Sequence, residues 1–211
     1  MDTTYFGRRY GVMVFMDSFT GQILYKHYVK NETNALYLHG IQEIVRRGIA
    51  VQSIICDGRK GIFEMFPDIP CQLCQFHQVK RITRYLTRKP KPEAAVELRS
   101  LALQLTGTDR ESFINHLQML KNKWSKFLDE RTVSVTTGNS FYTHKRLPST
   151  YLSLKRNIPY LFVFQDSKEL GIPNTTNMLD GTFADLKNKL RNHNGLNMTR
   201  KQRFIDEFFK A

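Results

Sequence analysis

Along the first 56 residues, the spacing of the hydrophobic residues changes from strand-like to helix-like and back to strand-like. This order restricts the fold more than any other feature of the sequence. Segments rich in β-branched and aromatic residues predict three strands, Thr3–Phe6, Tyr10–Met16 and Gln22–Val29. Asn34–Gly48 then has apolar residues at helical spacing, and Ala50–Cys56 returns to a buried-strand pattern. A strand meander that leads into a helix and another strand predicts a mixed sheet flanked by helices.

Shorter elements extend this order to residue 87. Gly7-Arg8-Arg9 is expected to form a turn, and Asp17–Gly21 a hairpin loop. A short helix over Gly61–Phe66 stops at a proline, and a short strand over Pro70–Cys74 precedes a basic helix over Phe76–Thr87. The predicted order is therefore β-β-β-α-β-α-β-α.

Residues 88–172 are predicted to be mostly helical. Amphipathic helices are expected over Glu93–Leu105 and Arg110–Phe127, and a third over Ser149–Arg156. The second carries an apolar stripe that we interpret as core packing, formed by Ile114, Leu117, Leu120 and Trp124. Val133–Ser149 is polar and predicted to be irregular.

The last part of the chain is predicted to contain two further helices. These are expected over Asn174–Asn194 and Thr199–Lys210. The predicted division is a core in two pieces, 1–87 and 173–211, interrupted by a mostly helical insertion at 88–172. The fold class is α/β.

The charge balance indicates a polyanionic partner. The chain has 32 lysine and arginine residues against 19 acidic ones, a formal net charge of +13. Such a field attracts polyanions, and nucleic acid is the commonest of them. Three cysteines argue against a disulfide framework. No apolar run approaches the roughly 20 residues of a membrane span, and no signal-peptide pattern opens the chain.

Two carboxylates lie at strand positions where they could share a cation. Asp2 lies on the first strand, and Asp57 follows the strand that ends at Cys56. If these strands are neighbours, the two carboxylates meet, and they repel unless a cation joins them. Oxygen ligands suit Mg²⁺ or Mn²⁺, and two such ions serve phosphoryl transfer.

A third carboxylate, Asp180, is the best candidate to complete such a site. Asn177 is a plausible N-cap, which would place Asp180 at the third helical position, as in a capping box. Asp180 could therefore serve only as a helix cap, or it could be a metal ligand, or both.

The segment Cys71-Gln-Leu-Cys74-Gln-Phe-His77 has the spacing of part of a zinc site. A fourth ligand is needed, and only Cys56 and His144 are loose candidates. The alternatives are that Cys74 is a small buried residue, and that His77 points toward the acids or a phosphate, or is an ordinary histidine.

The helix that contains Asp180 has one basic face. Lys187, Arg191 and Asn194 share this face, with Lys189 and His193 beside them, while Phe183, Leu186 and Leu190 form the packing face. A basic face beside a carboxylate site would hold a phosphate backbone. The alternative is a solvated charged face.

Taken together, these motifs resemble the catalytic domain of DDE transposases of the Mutator type. The resemblance covers nearly the whole chain and rests on the order of four motifs: Asp2-x-Thr4-Tyr5-Phe6, Ile55-Cys56-Asp57-Gly58, Cys74-x-x-His77 and Thr175-Thr176-Asn177-x-Leu179-Asp180-Gly181. The string from Leu186 to Leu196 is also similar to that family.

The resemblance implies a ribonuclease H-like fold, with a mixed five-stranded sheet, and metal-dependent DNA cleavage and strand transfer at insertion-element ends. Asp2, Asp57 and Asp180 match the catalytic, metal-binding triad, and Cys74 and His77 match a signature near the active site. Mg²⁺ or Mn²⁺, as two ions, is the implied cofactor. The residues expected to contact DNA are Lys187, Lys189, Arg191, His193, Arg59, Lys60, Lys80 and Arg81.

Double-stranded DNA is the implied partner, at element ends and at the target, and the family commonly acts as dimers or larger assemblies. No membrane partner is expected. The implied location is the bacterial nucleoid in the cytoplasm, or the nucleus in a eukaryote.

The chain departs from the family in two ways. The third acid is usually Glu, and Asp180 is shorter by one methylene. No DNA-binding region precedes Asp2, so the sequence is expected to be a fragment. Two alternatives therefore stay open: an inactive, basic DNA-binding remnant, and a ribonuclease H-like nuclease that does not join strands.

Overall fold

A computed structural model describes residues 1–7 and 10–210. The strands are β1 (Asp2–Phe6), β2 (Tyr10–Met16), β3 (Ile23–Val29), β4 (Ile54–Cys56), β5 (Cys71–Leu73), β6 (Arg131–Val133) and β7 (Ser140–Tyr142). The helices are α1 (Asn34–Arg46), α2 (Gln75–Leu86), α3 (Glu93–Leu103), α4 (Arg110–Lys123), α5 (Ser125–Asp129), α6 (Arg146–Leu161), α7 (Val163–Asp166), α8 (Asn177–Asn192) and α9 (Met198–Phe208). The α/β class is confirmed.

The chain forms two compact units, which are described separately. The first contains residues 1–71 and 176–211, and the second is Gln72–Thr175. The domain boundaries predicted at residues 87 and 172 remain a prediction.

The first unit is built on an antiparallel sheet in the order β1-β2-β3. Asp2 lies opposite Val14, and Met13 lies opposite His27, with a register shift between Phe15 and Met16. The predicted hairpin loop after β2 is confirmed, because the Gly21 N–H donates to the Asp17 carbonyl over 3.0 Å. The predicted turn at Gly7-Arg8-Arg9 lies partly outside the described residues.

Strand β2 is buried on both faces because its alternate side chains enter two separate cores. Met13 and Phe15 pack in one core with residues of α1, including Tyr37. Val12 and Val14 pack in the other core with α8 and α9. This alternation follows from the period of two along a strand. The first unit is therefore a sheet with α1 on one face and α8 and α9 on the other.

Strand β4 is shorter than the segment predicted from its apolar residues. Val51 is partly buried against the α1 core but lies outside the strand, so its apolar character reflects packing and not strand pairing. The Ile54 N–H donates to the Pro70 carbonyl over 2.9 Å, just before β5. The nitrogen of Met1 donates to the Ile55 carbonyl over 2.8 Å, which holds the start of β1 beside β4.

The strands of the described residues form sheets of three, two and two strands, with the orders β1-β2-β3, β4-β5 and β6-β7. The single five-stranded sheet that the resemblance implied is not shown there. The hydrogen bond from Met1 to Ile55 is a link between β1 and β4, but one bond does not make a strand ladder.

In the second unit, buried glutamines hold the backbone around α2. The Gln72 and Gln75 amides each donate to the Leu161 carbonyl over 2.9 Å, and Gln78 donates to the Ser153 hydroxyl over 3.3 Å. All three glutamines are fully buried. Such amides need partners, because a buried polar group without one costs about 1–3 kcal/mol.

The second unit differs from its predictions at several places, one of which is α6, predicted over Ser149–Arg156 and found over Arg146–Leu161. The segment predicted as one helix over Arg110–Phe127 is divided at Trp124 into α4 and α5. Ile114, predicted as core, is 38% exposed, while the neighbouring Phe113 is fully buried. The segment after α5, predicted to be irregular, forms the β6-β7 hairpin, with Gly138 at a positive φ of 65° in its loop.

Gly40 of α1 provides a test of the packing between α1 and β2. A Cβ at Gly40 would lie 2.1 Å from the Phe15 ring, so any side chain forces the helix from the sheet. We expect Gly40→Ala to lower the free energy of unfolding by about 1–3 kcal/mol, as overpacked cores do. Urea denaturation followed by circular dichroism measures this.

Gly181 of α8 is the matched control for Gly40. A Cβ there meets no atom within 4 Å. Gly181→Ala should therefore stabilise the helix by about 0.5–1 kcal/mol, the ordinary propensity gain. Equal stability changes in the two variants would contradict the packing described here.

Candidate metal centre

The first unit brings two of the predicted acids together. Ligand oxygens of Asp2 and Asp180 lie within 4.8 Å of one another. Asp2 begins β1 opposite Val14, and Val14 packs in the same core as Leu179 of α8. The burial of Leu179 thus anchors the first turn of α8 beside β1, and the next residue along the helix is Asp180.

Asp180 is oriented by a threonine hydroxyl. The Thr176 hydroxyl donates to Asp180 Oδ2 over 3.0 Å, and the Asp180 N–H donates to the Thr176 carbonyl over 3.0 Å. The prediction that Asn177 caps this helix is wrong, because α8 begins at Asn177 and its cap is Thr176. Asp180 is therefore the fourth helical residue, whereas a capping box uses the third. Its carboxylate accepts a hydrogen bond from the side chain of the cap residue, Thr176.

Asp2 is oriented by its own strand. The Thr3 N–H donates to Asp2 Oδ1 over 2.7 Å. The hydrogen bond from Met1 to Ile55 fixes the preceding residue against β4, two positions before Asp57. Asp2 is half-buried, as are Asp57 and Asp180.

Asp57 shares a buried neighbour with Asp2. It directly follows β4 and precedes Gly58, which has a positive φ of 74°. The pKa of the Tyr37 hydroxyl is raised, chiefly by burial and further by the charges of Glu32, Asp2 and Asp57, although its hydrogen bond with Thr3 opposes the rise. Asp57 and Asp2 therefore lie close enough to one phenol to act on it electrostatically.

Asp57 is not part of the group of ligand atoms within 4.8 Å that includes Asp2 and Asp180. The described geometry thus brings together two acids of the predicted triad and places the third near Tyr37. Tyr37 carries no sequence signal, because a tyrosine at helical spacing has an ordinary structural role. Thr176 belongs to the fourth motif of the resemblance, but no role was predicted for it.

The donor set at Asp2 and Asp180 fits a hard divalent cation. Both ligands are carboxylates, and two carboxylates at this distance repel each other unless a cation or proton lies between them. Mg²⁺ and Mn²⁺ prefer oxygen ligands and retain several waters, so one or two protein carboxylates suffice to hold them.

Cys74 and His77 belong to the second unit. Cys74 is fully buried at the N-cap of α2, and His77 is half-buried in the first turn of that helix, 5.7 Å from the Phe76 ring between centroids. The role that the resemblance gives to these two residues stays a prediction.

The cysteines do not favour the zinc alternative. All three are free and buried. Burial raises the pKa of the Cys56 thiol to about 12 and that of Cys71 to about 11, so both are protonated at neutral pH. No cysteine joins a group of three potential ligands within the part of the chain that the structure describes.

The packing face of α8 is confirmed, since Phe183 and Leu186 are buried and Leu190 packs against the same core. On the basic side, Lys187 is half-buried and Arg191 is exposed. Lys189 lies 2.9 Å from Asp185, so part of its charge is neutralised.

The other residues expected to contact DNA are mostly at the surface. His193 is exposed and lies 5.5 Å from Phe204 between ring centroids. Arg59 is 3.7 Å from Glu32, and Lys60 is exposed beside it. In the second unit, Lys80 is exposed and Arg81 half-buried.

Comparison with known protein families, with proteins of described function and with solved structures finds no match. Over the described ranges, 1–7 and 10–210, the chain has no helix with the length and apolar character needed to cross a membrane. The function must therefore be argued from the site alone.

Mn²⁺ binding tests the pair of acids in the first unit. Asp2→Asn and Asp180→Asn each remove one charge from the ligand pair, so we expect each to weaken Mn²⁺ binding at least about tenfold, or about 1.4 kcal/mol. Isothermal titration calorimetry measures the affinity.

Asp185→Asn is the control, because Asp185 is an exposed acid of the same helix that pairs with Lys189. It should leave Mn²⁺ affinity unchanged. An unchanged affinity in Asp180→Asn, or an equal loss in Asp185→Asn, would show that the two acids are not the metal ligands.

Proposed function

We propose that this protein is the catalytic domain of a DDE-type transposase, which cleaves DNA at insertion-element ends and joins the new 3′ end to target DNA. The observation that carries the proposal is the approach of Asp2 and Asp180 within 4.8 Å, from chain segments far apart in sequence. The net charge of +13 is consistent with a DNA partner.

The finer fold proposed is ribonuclease H-like. Its support is the order β1-β2-β3-α1-β4 and the link from Met1 to Ile55, which brings the strand bearing Asp2 beside the strand that Asp57 follows. In this proposal a helical insertion separates Asp57 from Asp180.

The proposed mechanism assigns each group a task. Asp2, Asp57 and Asp180 would hold two Mg²⁺ or Mn²⁺ ions, which supply Lewis-acid stabilisation of the attacking and leaving oxygens in phosphodiester chemistry. Thr176 keeps Asp180 in one orientation through its hydroxyl donor, and the Tyr37 hydroxyl lies 3.2 Å from the hydroxyl of Thr3, the residue that follows Asp2. A buried hydroxyl that makes hydrogen bonds limits side-chain movement at the acids.

Further features of the proposal follow from the basic residues. Lys187, Arg191 and their neighbours on α8 would contact the phosphates of double-stranded DNA. The roles that the resemblance gives to His77 and Cys74 belong to the same proposal. Assembly on DNA as a homodimer or larger complex belongs to the same proposal, with the nucleoid or nucleus as the place of action.

A second candidate is a DNA-binding remnant without catalysis. It is favoured by one specific observation, that Asp57 does not join Asp2 and Asp180 in the group of ligand atoms. A nuclease without strand joining is the third candidate and would use the same acids.

Strand transfer separates these candidates. With Mn²⁺, a labelled DNA donor with a free 3′-hydroxyl and a supercoiled target should give joined products. We expect Asp57→Asn to lower the rate more than about 100-fold, because several kcal/mol of charge stabilisation are lost. Asp129→Asn, at an exposed acid that pairs with Lys121, should keep the parent rate, because neither residue is expected to contact DNA.

Each alternative has its own outcome in that assay. Cleavage without joined products would identify a nuclease, and DNA binding with neither product would identify a remnant. Equal rates in Asp57→Asn and the parent protein would exclude Asp57 from catalysis.

The basic face of α8 is tested by the salt dependence of duplex DNA binding. Lys187→Ala and Arg191→Ala should each reduce the slope of log K against log salt by about 1, the effect of one lost phosphate contact. Lys210→Ala, which removes a lysine paired with Glu207 after α9, should leave the slope unchanged. Unchanged slopes in the α8 variants would place the DNA elsewhere.

A further inference from the structure

A cluster of aromatic rings lies on the first unit, where β3 faces α1, and the proposed catalysis does not use it. It consists of Tyr25 and His27 of β3 and His39 of α1. Both histidines are exposed and Tyr25 is half-buried. We refer to these three residues as the ring cluster.

Two of the rings are almost parallel and follow one another on the same face of β3, at the ordinary spacing of alternate strand residues. The Tyr25 and His27 rings differ by 6° in plane, and their centroids are 6.5 Å apart. Stacked bases lie about 3.4 Å apart, so a base between two rings needs about 6.8 Å. The gap between the two ring planes is at most the 6.5 Å centroid distance, so a base enters when the exposed His27 ring moves outward by a few tenths of an ångström.

The third ring lies across the other two. His39 is 6.1 Å from Tyr25 and 6.3 Å from His27 between centroids, at interplanar angles of 81° and 75°. Its ring nitrogens can donate or accept hydrogen bonds. An inserted base would therefore meet aromatic faces on two sides and a polar ring at one edge.

The surroundings of the ring cluster are basic. The Arg47 guanidinium is 5.5 Å from the Tyr25 ring centroid and donates to the Leu24 carbonyl over 3.0 Å. Glu43, an acid whose charge acts on Tyr25 and interacts with His39, pairs with Arg46 over 2.6 Å, which offsets its charge. A phosphate next to a bound base would thus find positive charge and no uncompensated acid among these groups.

Tyr25 has a fixed position because it packs against the core. Its ring is 5.7 Å from Phe15 between centroids, and it lies at the edge of the core shared by β2 and α1. His27 is held by the strand two residues later, on the same face. A rigid ring loses little entropy on binding, which favours a site for a planar ligand.

We propose that the ring cluster binds an unpaired nucleobase of single-stranded DNA, with the base stacked between Tyr25 and His27. Base stacking on protein aromatics is tolerant of sequence and adds to backbone charge contacts. This role goes beyond the proposed catalysis and does not depend on the metal centre. An experiment can therefore refute the base-binding proposal without refuting the proposed function, and the reverse.

The test is the binding of fluorescein-labelled oligothymidylate, measured by fluorescence anisotropy in EDTA so that metal chemistry is excluded. We expect His27→Ala to weaken binding about tenfold, within the range for loss of one stacking ring. Tyr25→Leu, which keeps the apolar packing but removes the ring face, should weaken it similarly.

Phe19→Ala is the matched control. Phe19 is an aromatic residue of the same unit, 68% exposed in the loop after β2 and outside the ring cluster. Its removal should leave oligothymidylate binding unchanged. An equal loss in Phe19→Ala and His27→Ala would overturn the proposal, and so would no loss in His27→Ala with an unchanged melting temperature.

An abasic oligonucleotide of the same length and charge separates stacking from phosphate contacts. The parent protein should bind it about tenfold more weakly than oligothymidylate, and His27→Ala should bind both alike. Equal affinity of the parent for both oligonucleotides would overturn the proposal.

Two more probes define the ligand. Duplex DNA should bind with an affinity that His27→Ala does not change, since paired bases cannot enter the cluster. Oligouridylate binding with the same dependence on His27 would extend the ligand to unpaired bases of RNA, whereas dependence on His27 for RNA alone would overturn the assignment to DNA.

Discussion

The first unit depends on the burial of β2 from both sides. Because alternate residues of this strand enter different cores, the strand requires one helical layer from residues that directly follow the meander and another from the end of the chain. The metal-binding candidates follow from this requirement. Asp2 is carried by the strand that pairs with β2, and Asp180 by a helix that packs on it, so the two acids approach as a result of core formation.

Much of the first unit could be predicted from the sequence. The spacing of its apolar residues matches the spacing at which strand and helix side chains enter the core. Tyr10–Met16 forms a strand over the predicted residues because nothing along it conflicts with that pattern. Val51 shows the limit of such predictions. An apolar residue that is buried beside a strand has the same sequence pattern as a residue within the strand. In the second unit, the β6-β7 hairpin is not predicted because each strand has only three residues, most of them exposed, which is too few to show a hydrophobic period.

The acids of the candidate site could be predicted from the sequence, but the residues around them could not. Asp180 could be selected because it lies early in an amphipathic helix, but its position relative to the cap was wrong by one residue. The residues that orient the acids, Thr3 and Thr176, lie next to them in sequence, whereas Tyr37 comes from α1 and reaches the site only in the folded chain. The ring cluster could not be predicted either, because His27 and His39 lie on different elements and belong to no common motif.

The separation of the first unit into two chain segments has a consequence for how the protein is made. During synthesis the strands β1 to β3 and helix α1 emerge first, while α8 and α9 follow only after all of Gln72–Thr175 has been translated. Throughout that interval Val12 and Val14 have no helix to cover them. Contacts of such long sequence separation form slowly, and an uncovered sheet face is prone to aggregation. The nascent chain therefore has a defined period of vulnerability, which ends when both α8 and α9 have left the ribosome and cover this face.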